Sequence, residues 1–463
     1  MSKKILVSGL WAYVENGSAQ VFSIITFLFI AKVVGPEEFG TVAIAAAWAA
    51  LFGSLSEAGI SDAVIQKVDR TKGFVSTAFW LNLGLALVGT LLVLAFGLTV
   101  KVSDNPKVSQ YIAALAVGIP ITALGNIPTS LLRAELRNKD LARRGIASDV
   151  AGCVAGIGCA MAGLGGWAII VQTLLSTATK TAVVWRCSHW MPERTFEKEA
   201  SLEILRYGYK SLGTGLLSSI SARVDRFILG FFFGAKEVGI YAIASEGITR
   251  VSAVLITGLS QVMFPHYASL QKQKEALADA FFRSISWSCF VGAGAFAMLH
   301  TFAPWIASGV LGQKWADSAP ILRILCLLGL MQCITVVAMT LYKSVGRPGL
   351  GLAHAASQVA LNIALVFLLK DRGLEAIAIA LAVRPLCFLA VHAFTTNLIL
   401  ENSKVRFFKS IAPGLLLYAC AVGLSVGVTG LAHSTVWAAV AALVLVMGAI
   451  VVRVRGEWLA SRS

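Results

Sequence analysis

The sequence has few charged residues and no long polar stretch. Only 14% of its 463 residues are Asp, Glu, Lys or Arg, whereas 57% are hydrophobic, and the mean hydropathy is +0.77. A composition this apolar lies outside the range of water-soluble domains. The longest polar link, about residues 186 to 207, is too short to fold as a separate domain. These deficits exclude a soluble enzyme and a soluble domain held by a single anchor.

Motifs of soluble-enzyme chemistry are absent as well. There is no Gly-x4-Gly-Lys-Ser/Thr loop to cradle nucleotide phosphates, which argues against direct use of ATP by this chain. No pair of His residues has metal-ligand spacing, and none of the eight Cys forms a Cys-x-x-Cys pair. We interpret the cysteines as small apolar packing residues. The sequence therefore predicts no resident cofactor or metal.

Long apolar stretches recur along the whole chain. A transmembrane helix needs about 20 mostly apolar residues, and fourteen such stretches use nearly the entire sequence. We predict an all-α polytopic membrane protein without a cleavable signal peptide, because the first stretch is long, polar in part and lacks a small-residue cleavage site. The predicted helices span residues 7–33, 39–62, 75–100, 109–132, 143–163, 166–186, 207–233, 238–264, 280–309, 319–342, 350–369, 374–399, 410–430 and 435–452.

The net charge of +15 is distributed unevenly between alternate loops. If the N-terminus is cytoplasmic, 26 of the 39 Lys and Arg fall in loops on the cytoplasmic side and 8 in loops on the other side. This asymmetry follows the positive-inside rule and places both termini in the cytoplasm. Because the membrane accounts for the positive charge, no nucleic-acid partner is expected.

Two segments of the sequence resemble each other at an offset of 199 residues. FIAKVVGPEEFGTVAIA (29–45) and ILGFFFGAKEVGIYAIA (228–244) are identical at six of seventeen positions. Three identities form a Gly-x-x-Glu-x-Gly pattern, which we place in a tight turn because glycine tolerates positive φ. We predict a duplication into two six-helix bundles. Since six is even, both bundles enter the membrane in the same direction and form a parallel repeat.

This repeat divides the chain into four parts. Residues 1–190 are predicted to form the N-terminal six-helix bundle, and residues 191–206 a cytoplasmic linker. Residues 207–400 form the C-terminal six-helix bundle. Residues 401–463 hold two additional transmembrane helices and a cytoplasmic tail. A cleft between two such bundles is where transporters of this architecture bind their substrates.

Ionisable side chains inside the predicted helices are the candidate functional residues, because a charge at the bilayer centre is costly and usually faces a watery interior. Arg223 and Arg226 lie one turn apart on the seventh predicted helix and share a face. For Asp225, the alternative to a functional role is a structural ion pair with an arginine of a neighbouring helix. For Glu246 and Arg250, the alternative is a structural ion pair with each other. The polar candidates for coupling or cavity lining are Glu15, Asn16, Gln20, Glu57, Asp225 and Glu246. A further group of polar residues is interpreted as snorkelling to the interface or hydrogen bonding inside a bundle: Lys180, Arg384, His300, His354 and His392.

Arginines in a membrane cleft point to a phosphate-bearing substrate. Arginine is permanently charged, and its planar donors match phosphate oxygens. A lipid-linked sugar diphosphate also offers hydroxyl groups to polar side chains, and its lipid tail stays in the bilayer while the headgroup crosses. The predicted diphosphate-binding residues are therefore Arg223, Arg226 and Arg250.

Several short motifs, taken in order and spacing, resemble those of a known family. They are GPEEFG (35–40), LSEAGISDAVIQK (55–67), STAFWLN (76–82), RVDRFILGFFFG (223–234) and VGIYAIASE (238–246). With them the chain resembles, from its first helix to its twelfth, the polysaccharide-transporter branch of the multidrug/oligosaccharidyl-lipid/polysaccharide exporter (MOP) superfamily. Within that branch it is similar to the exopolysaccharide and colanic-acid type of repeat-unit flippase.

This resemblance implies a function and a location. Such proteins move undecaprenyl-diphosphate-linked oligosaccharide repeat units from the cytoplasmic to the periplasmic leaflet of the bacterial inner membrane, by alternating access. The resemblance carries over to Arg223, Asp225, Arg226 and Glu246 as charged cavity residues. Membrane lipids and the machinery that polymerises the polysaccharide are the implied partners. Coupling to H⁺ or Na⁺ is left open, as is driving by the membrane potential or by consumption of the product.

Three other functions are kept as alternatives. A cation-coupled multidrug exporter of the same superfamily would rely on intramembrane carboxylates such as Glu15, Glu57 and Asp225, and the arginines argue against it. A membrane-embedded polymerase or glycosyltransferase on the same lipid carrier would need a large outer loop, which the sequence lacks. A peptidoglycan-precursor flippase would share the mechanism, and its deletion would be lethal.

Overall fold

The structure is a computed structural model, and every regular element in the part it describes is helical. It describes residues 3–54, 59–67, 70–99, 105–135, 137–221, 223–401, 404–432 and 435–460. The helices are α1 (Lys3–Val33), α2 (Pro36–Gly53), α3 (Ile60–Gln66), α4 (Lys72–Thr99), α5 (Lys107–Ala116), α6 (Gly118–Ala134), α7 (Asn138–Met161), α8 (Trp167–Ser188), α9 (Lys198–Ser221), α10 (Val224–Phe232), α11 (Ala235–Leu270), α12 (Lys274–Pro304), α13 (Ser318–Ser344), α14 (Pro348–Leu369), α15 (Leu374–Leu400), α16 (Lys404–Ala432) and α17 (Thr435–Ala460).

The predicted class, an all-α polytopic membrane protein, is confirmed. Within the described ranges, nine spans are long and apolar enough to cross a membrane, from Lys72–Thr99 to Lys404–Thr429. Large apolar side chains face outward along them, for example Leu91 at 66% and Leu416 at 65% exposure. Such side chains are stable on a helix surface only where lipid replaces water. The count of fourteen transmembrane helices stays a prediction.

Three of the predicted helices are interrupted. The second is divided into α2 and α3, and α3 begins after Gly59, whose φ of +69° lies in the left-handed region that glycine tolerates. The fourth is divided into α5 and α6 at Val117. Pro120 follows in the first turn of α6, where its missing N–H and its ring disrupt a continuous helix. The prediction of one uninterrupted helix is wrong for the second, whereas Lys107–Ala134 is still a single apolar span at the place of the fourth.

The seventh predicted helix, residues 207–233, differs most from the structure. It begins earlier, as α9 at Lys198, so part of the predicted linker is helical. It is then interrupted after Ser221 and resumes as α10 at Val224. Three serines, at 218, 219 and 221, and the glycines at 213 and 215 lower the helix propensity. The acidic Asp225 in the first turn of α10 favours a new N-terminus there.

The helices group into two compact units. The first contains Met1–Ala242 with Gln358–Ile363, and the second contains Ile243–Ser357 with Ala364–Ser463. In the first unit α7 packs on α1 and α8, while α6 packs on α4 and α8. In the second unit α12 packs against α13, α16 and α17. The predicted division at residues 190, 206 and 400 stays a prediction.

The link before α9 is fixed to the first unit by the motif STAFWLN. The hydroxyl of Ser76 accepts a hydrogen bond from the Glu193 backbone N–H at 3.0 Å, and the hydroxyl of Thr77 accepts one from Glu197 N–H at 2.9 Å. The indole N–H of Trp80 donates to the Glu193 carbonyl at 2.9 Å. Asn82 is fully buried and donates to the Ala123 carbonyl of α6. The polar residues of this motif therefore hold neighbouring backbone in place.

Candidate functional site

A cavity of about 420 Å³ lies inside the first unit. Its walls come from α2, the junction of α5 and α6, α8, the end of α9 and the start of α10. Among the described residues that line it, only Arg223 and Arg226 are charged, and most of the others are Ala, Gly, Leu, Ile, Ser or Thr. We call it the arginine cavity. The structure thus brings together two of the three arginines that were predicted to bind the substrate.

The interruption before α10 places both arginines at a helix N-terminus. Arg223 is the residue before α10, with φ −136° and ψ 2°, and its carbonyl accepts the Phe227 N–H at 3.0 Å. Arg226 follows in the first turn. The first N–H groups of a helix carry partial positive charge, which adds to that of the guanidinium groups. An anion in the arginine cavity would meet both sources of positive potential.

Asp225 has a local role in the same turn. Its Oδ1 accepts the backbone N–H of Arg226 at 2.9 Å. The described residues that line the arginine cavity do not include it. In this contact the carboxylate of Asp225 satisfies one backbone N–H at the N-terminus of α10.

Aromatic packing fixes α10 against α2. The ring of Trp48 lies 4.8 Å from that of Phe227 and 6.0 Å from that of Phe231, measured between centroids. Trp48 also packs on Phe96 of α4 at 4.3 Å. Gly230 allows close approach, since a Cβ there would lie 3.4 Å from Ile44 Cγ1. These contacts set the position from which Arg223 and Arg226 reach the cavity.

A second cavity of about 460 Å³ adjoins the first, since Thr122 and Thr177 line both. It is formed by α3, α6, α7 and α8, and we call it the polar cavity. Its charged lining residues are Asp62, Arg133, Arg144 and Lys180. Arg133 and Arg144 were assigned to predicted cytoplasmic loops, and Lys180 was interpreted as structural. The missed signal was helical spacing, because Thr177, Lys180 and Thr181 share one face of α8.

The remaining predicted site residues are placed elsewhere. Arg250 and Glu246 lie one turn apart on the part of α11 in the second unit, and they form an ion pair with 3.6 Å between Nη2 and Oε2. Gln20 is half-buried on α1. The side chains of Glu15 and Asn16 and the whole of Glu57 lie outside the described residues.

Polar side chains interpreted as structural form contacts inside the second unit. His392 Nδ1 lies 3.1 Å from the Tyr342 hydroxyl, and its ring stacks on His354 at 4.7 Å. His300 Nδ1 lies 3.2 Å from the Arg323 carbonyl. Arg384 is 8% exposed. These placements agree with hydrogen bonding inside a bundle. Over the described part of the chain, His, Cys, Asp and Glu do not gather into a group of three that would hold a metal ion.

Comparison with solved structures defines the class of fold. The chain superimposes on a structure of the lipid II flippase MurJ in an inward closed conformation with a TM-score of 0.75, at 12% identity, covering 98% of this chain and 99% of that one. A multidrug resistance MATE transporter of the MOP superfamily in an inward-facing conformation gives a TM-score of 0.63 at 16% identity, covering 88% and 98%. The chain therefore has the fold that these two structures share.

Comparison of sequences defines the family. The model of the family described as "Polysaccharide biosynthesis protein" matches residues 29–320, which is more than half of the chain. The chain belongs to this family, and the resemblance found in its motifs is confirmed.

Three curated relatives are similar at low identity. The succinoglycan biosynthesis transport protein ExoT of Rhizobium meliloti (strain 1021) is 21% identical over 68% of this chain. The match spans 64% of the length of ExoT. The lipopolysaccharide biosynthesis protein WzxC of Escherichia coli (strain K12) is 21% identical over 72% of this chain and 68% of its own length. The teichuronic acid biosynthesis protein TuaB of Bacillus subtilis (strain 168) is 20% identical over 93% and 90%.

Proposed function

We propose that this protein is a flippase, a transporter and not an enzyme, that moves lipid-linked oligosaccharide repeat units across a membrane during polysaccharide synthesis. Its family, the names of ExoT, WzxC and TuaB, and the transporter fold support this function. The substrate carries a diphosphate between its lipid and its sugars. Arg223 and Arg226 bind that diphosphate. Arg250 is a further candidate for binding the diphosphate.

The observation that carries the proposal is a pair of arginines in a cavity between membrane helices, where the other described lining residues are uncharged. Two guanidinium groups that line one cavity give it a positive potential that attracts an anion. A diphosphate offers acceptor oxygens that match the planar donors of arginine. An organic cation, the substrate of a multidrug exporter, would be repelled by the same pair.

Location and partners follow from the substrate. The protein lies in a bacterial inner membrane with both termini in the cytoplasm, as the positive-inside asymmetry supports. It receives repeat units from the glycosyltransferases that complete them and delivers them to the polymerase machinery outside. Glu246, Asp225, Gln20, Glu15, Asn16 and Glu57 are candidates for cavity lining or for coupling to H⁺ or Na⁺.

The experiment measures the leaflet in which repeat units collect. A deletion strain is complemented with wild type, Arg223→Gln, Arg226→Gln or Arg186→Gln, and intact spheroplasts are treated with a membrane-impermeant sugar-oxidising reagent. Arg186 is an exposed arginine at the end of α8 and serves as the matched control. We expect protected, cytoplasmic-side repeat units in the deletion strain and in both cavity variants, and normal clearance with Arg186→Gln.

Two results would overturn the proposal. Repeat units that collect in the reagent-accessible leaflet would show that the protein acts after flipping, as a polymerase-like enzyme does. A deletion strain that collects no repeat units and becomes sensitive to cationic dyes would point to a multidrug exporter. Membrane amounts of each variant are compared by immunoblot, so that loss of insertion is recognised.

A further inference from the structure

We infer that the polar cavity is the saccharide subsite of this transporter, and that it binds the sugars while the arginine cavity binds the diphosphate. This inference rests on the proposed function. It divides one substrate between two adjoining compartments according to hydrogen-bonding chemistry.

Three threonine hydroxyls that line the polar cavity donate their protons to backbone carbonyls of the protein. Thr122 donates to the Gly118 carbonyl at 2.8 Å, and Thr129 donates to the Gly125 carbonyl at 2.6 Å. Thr181 donates across to Ile121 of α6 at 2.8 Å. A hydroxyl whose proton is used still offers lone pairs. Thr122 and Thr181 therefore present acceptors to whatever enters the cavity, whereas Thr129 already accepts from Arg144. Acceptors suit the O–H groups of a sugar.

Charged residues of the same cavity supply both kinds of partner. Arg133 and Lys180 bring N–H donors, while the carboxylate of Asp62 brings an acceptor. Arg144 Nη1 donates to the Thr129 hydroxyl at 2.6 Å, which fixes its orientation across α6 and α7. Every sugar hydroxyl is both a donor and an acceptor, so it matches a wall where the two alternate. A diphosphate only accepts hydrogen bonds, so it would leave the hydroxyl acceptors and the carboxylate of Asp62 without a donor.

The arginine cavity has the opposite character. Apart from its two arginines it is lined mostly by small or apolar residues, including Ala46, Ala50 and Leu174. Such walls offer few acceptors to a sugar hydroxyl and leave the guanidinium groups as the main polar partners. Because Thr122 and Thr177 line both cavities, a molecule can occupy the two together. A sugar diphosphate that does so has its phosphates at α10 and its sugars between α3, α6, α7 and α8.

The test compares two ligands on purified full-length protein in nanodiscs. One is the lipid-linked repeat unit extracted from the deletion strain, and the other is polyprenyl diphosphate without sugar. Lys180→Met removes the donors of one cation and keeps the length of its side chain. A hydrogen bond to a charged group contributes about 1.5–3 kcal/mol, so we expect Lys180→Met to weaken binding of the sugar-bearing ligand by about tenfold or more. Binding of the sugar-free ligand should stay within about twofold.

Asp62→Asn provides a second variant with little change of shape. If the polar cavity is a saccharide subsite, Asp62→Asn should lower the affinity for the sugar-bearing ligand only. At a phosphate site it would remove a repulsive charge and tighten binding of the sugar-free ligand, which would overturn the inference. If Lys180→Met lowers the affinity for both ligands equally, the inference is overturned as well. Size-exclusion profiles establish that each variant is folded.

The same measurements keep the two hypotheses apart. Arg223→Gln should lower the affinity for both ligands, because both carry the diphosphate. If Arg223→Gln changes neither affinity, the role of Arg223 in binding the diphosphate is wrong. The saccharide subsite is then still tested by Lys180→Met and Asp62→Asn. Arg186→Gln is the control and should leave the affinity for both ligands unchanged.

Discussion

Gly40 of α2 and Gly239 of α11 lie against each other in a reciprocal contact. A Cβ on Gly40 would lie 1.7 Å from the Ala235 carbonyl oxygen, and a Cβ on Gly239 would lie 1.9 Å from the Pro36 carbonyl oxygen. Pro36 and Ala235 are related by the same offset of 199 residues as the two glycines. Reciprocal contacts of equivalent residues are what a two-fold relation produces. This geometry supports the internal repeat found in the sequence.

Alanine at either glycine should destabilise this packing. The added methyl meets backbone atoms, which cannot move aside as a flexible side chain can, and overpacking typically costs about 1–3 kcal/mol. We expect Gly40→Ala and Gly239→Ala each to lower the melting temperature in detergent. Gly84→Ala is the matched control, because nothing lies within 4 Å of a Cβ there. An unchanged melting temperature for Gly40→Ala would show that the two helices are not this close.

The glutamate of the same Gly-x-x-Glu-x-Gly motif, Glu38, joins three parts of the first unit. Its Oε2 accepts hydrogen bonds from the Tyr111 hydroxyl at 2.9 Å and from the Gly166 N–H at 2.8 Å. Its Oε1 accepts a charged hydrogen bond from Lys107. One carboxylate thus ties the start of α2 to α5 and to the turn between α7 and α8.

Removal of one donor to Glu38 should have a measurable cost. Tyr111→Phe keeps the buried ring, which is 1% exposed, and removes a hydrogen bond to a charged group. We expect a decrease of about 1.5–3 kcal/mol in the free energy of unfolding, measured by denaturant titration in detergent. The neighbouring Glu37 is exposed, so Glu37→Gln should change it by less than about 0.5 kcal/mol. Similar values for both variants would mean that Glu38 is solvated.

The helices of this protein were predictable from sequence because lipid imposes long apolar runs. The interruptions were not, since a break is set by local competition among turn residues. The predicted second, fourth and seventh helices each contain a short polar or Gly/Pro-containing segment within an apolar run. A hydropathy window averages such segments away. The start of α10 at Val224 is decisive, because it turns a mid-helix arginine into one at a helix N-terminus.

The candidate site was predictable only in part. Arg223 and Arg226 stood out because they interrupt an apolar run, and the structure places both at one cavity. Arg133 and Arg144 did not stand out, because residues near helix ends look like loop charges. Their position at the polar cavity depends on how α6 and α7 pack, which no local pattern contains.

The position of the two arginines should depend on Trp48. Aromatic pairs contribute about 0.5–1.5 kcal/mol each, and Trp48 makes such contacts with both Phe227 and Phe231 of α10. We expect Trp48→Leu to weaken binding of polyprenyl diphosphate by about tenfold, with Arg223 and Arg226 unchanged in sequence. Trp305→Leu is the control, because Trp305 is 58% exposed and lies outside the arginine cavity. Equal affinities for the two variants would show that α10 is positioned without Trp48.

The link between α8 and α9 should loosen when its hydroxyl partners are removed. Thr77→Val keeps the shape of the side chain and removes the acceptor of the Glu197 N–H, and a typical hydrogen bond contributes about 1 kcal/mol. We therefore expect amide exchange at residues 193–197 to become about fivefold faster, measured by hydrogen–deuterium exchange mass spectrometry. Thr99→Val is the matched control, since the Thr99 hydroxyl donates only within its own helix, to the Ala95 carbonyl at 2.7 Å. Exchange that stays at the wild-type rate in Thr77→Val would mean that Ser76 and Trp80 hold the link without it.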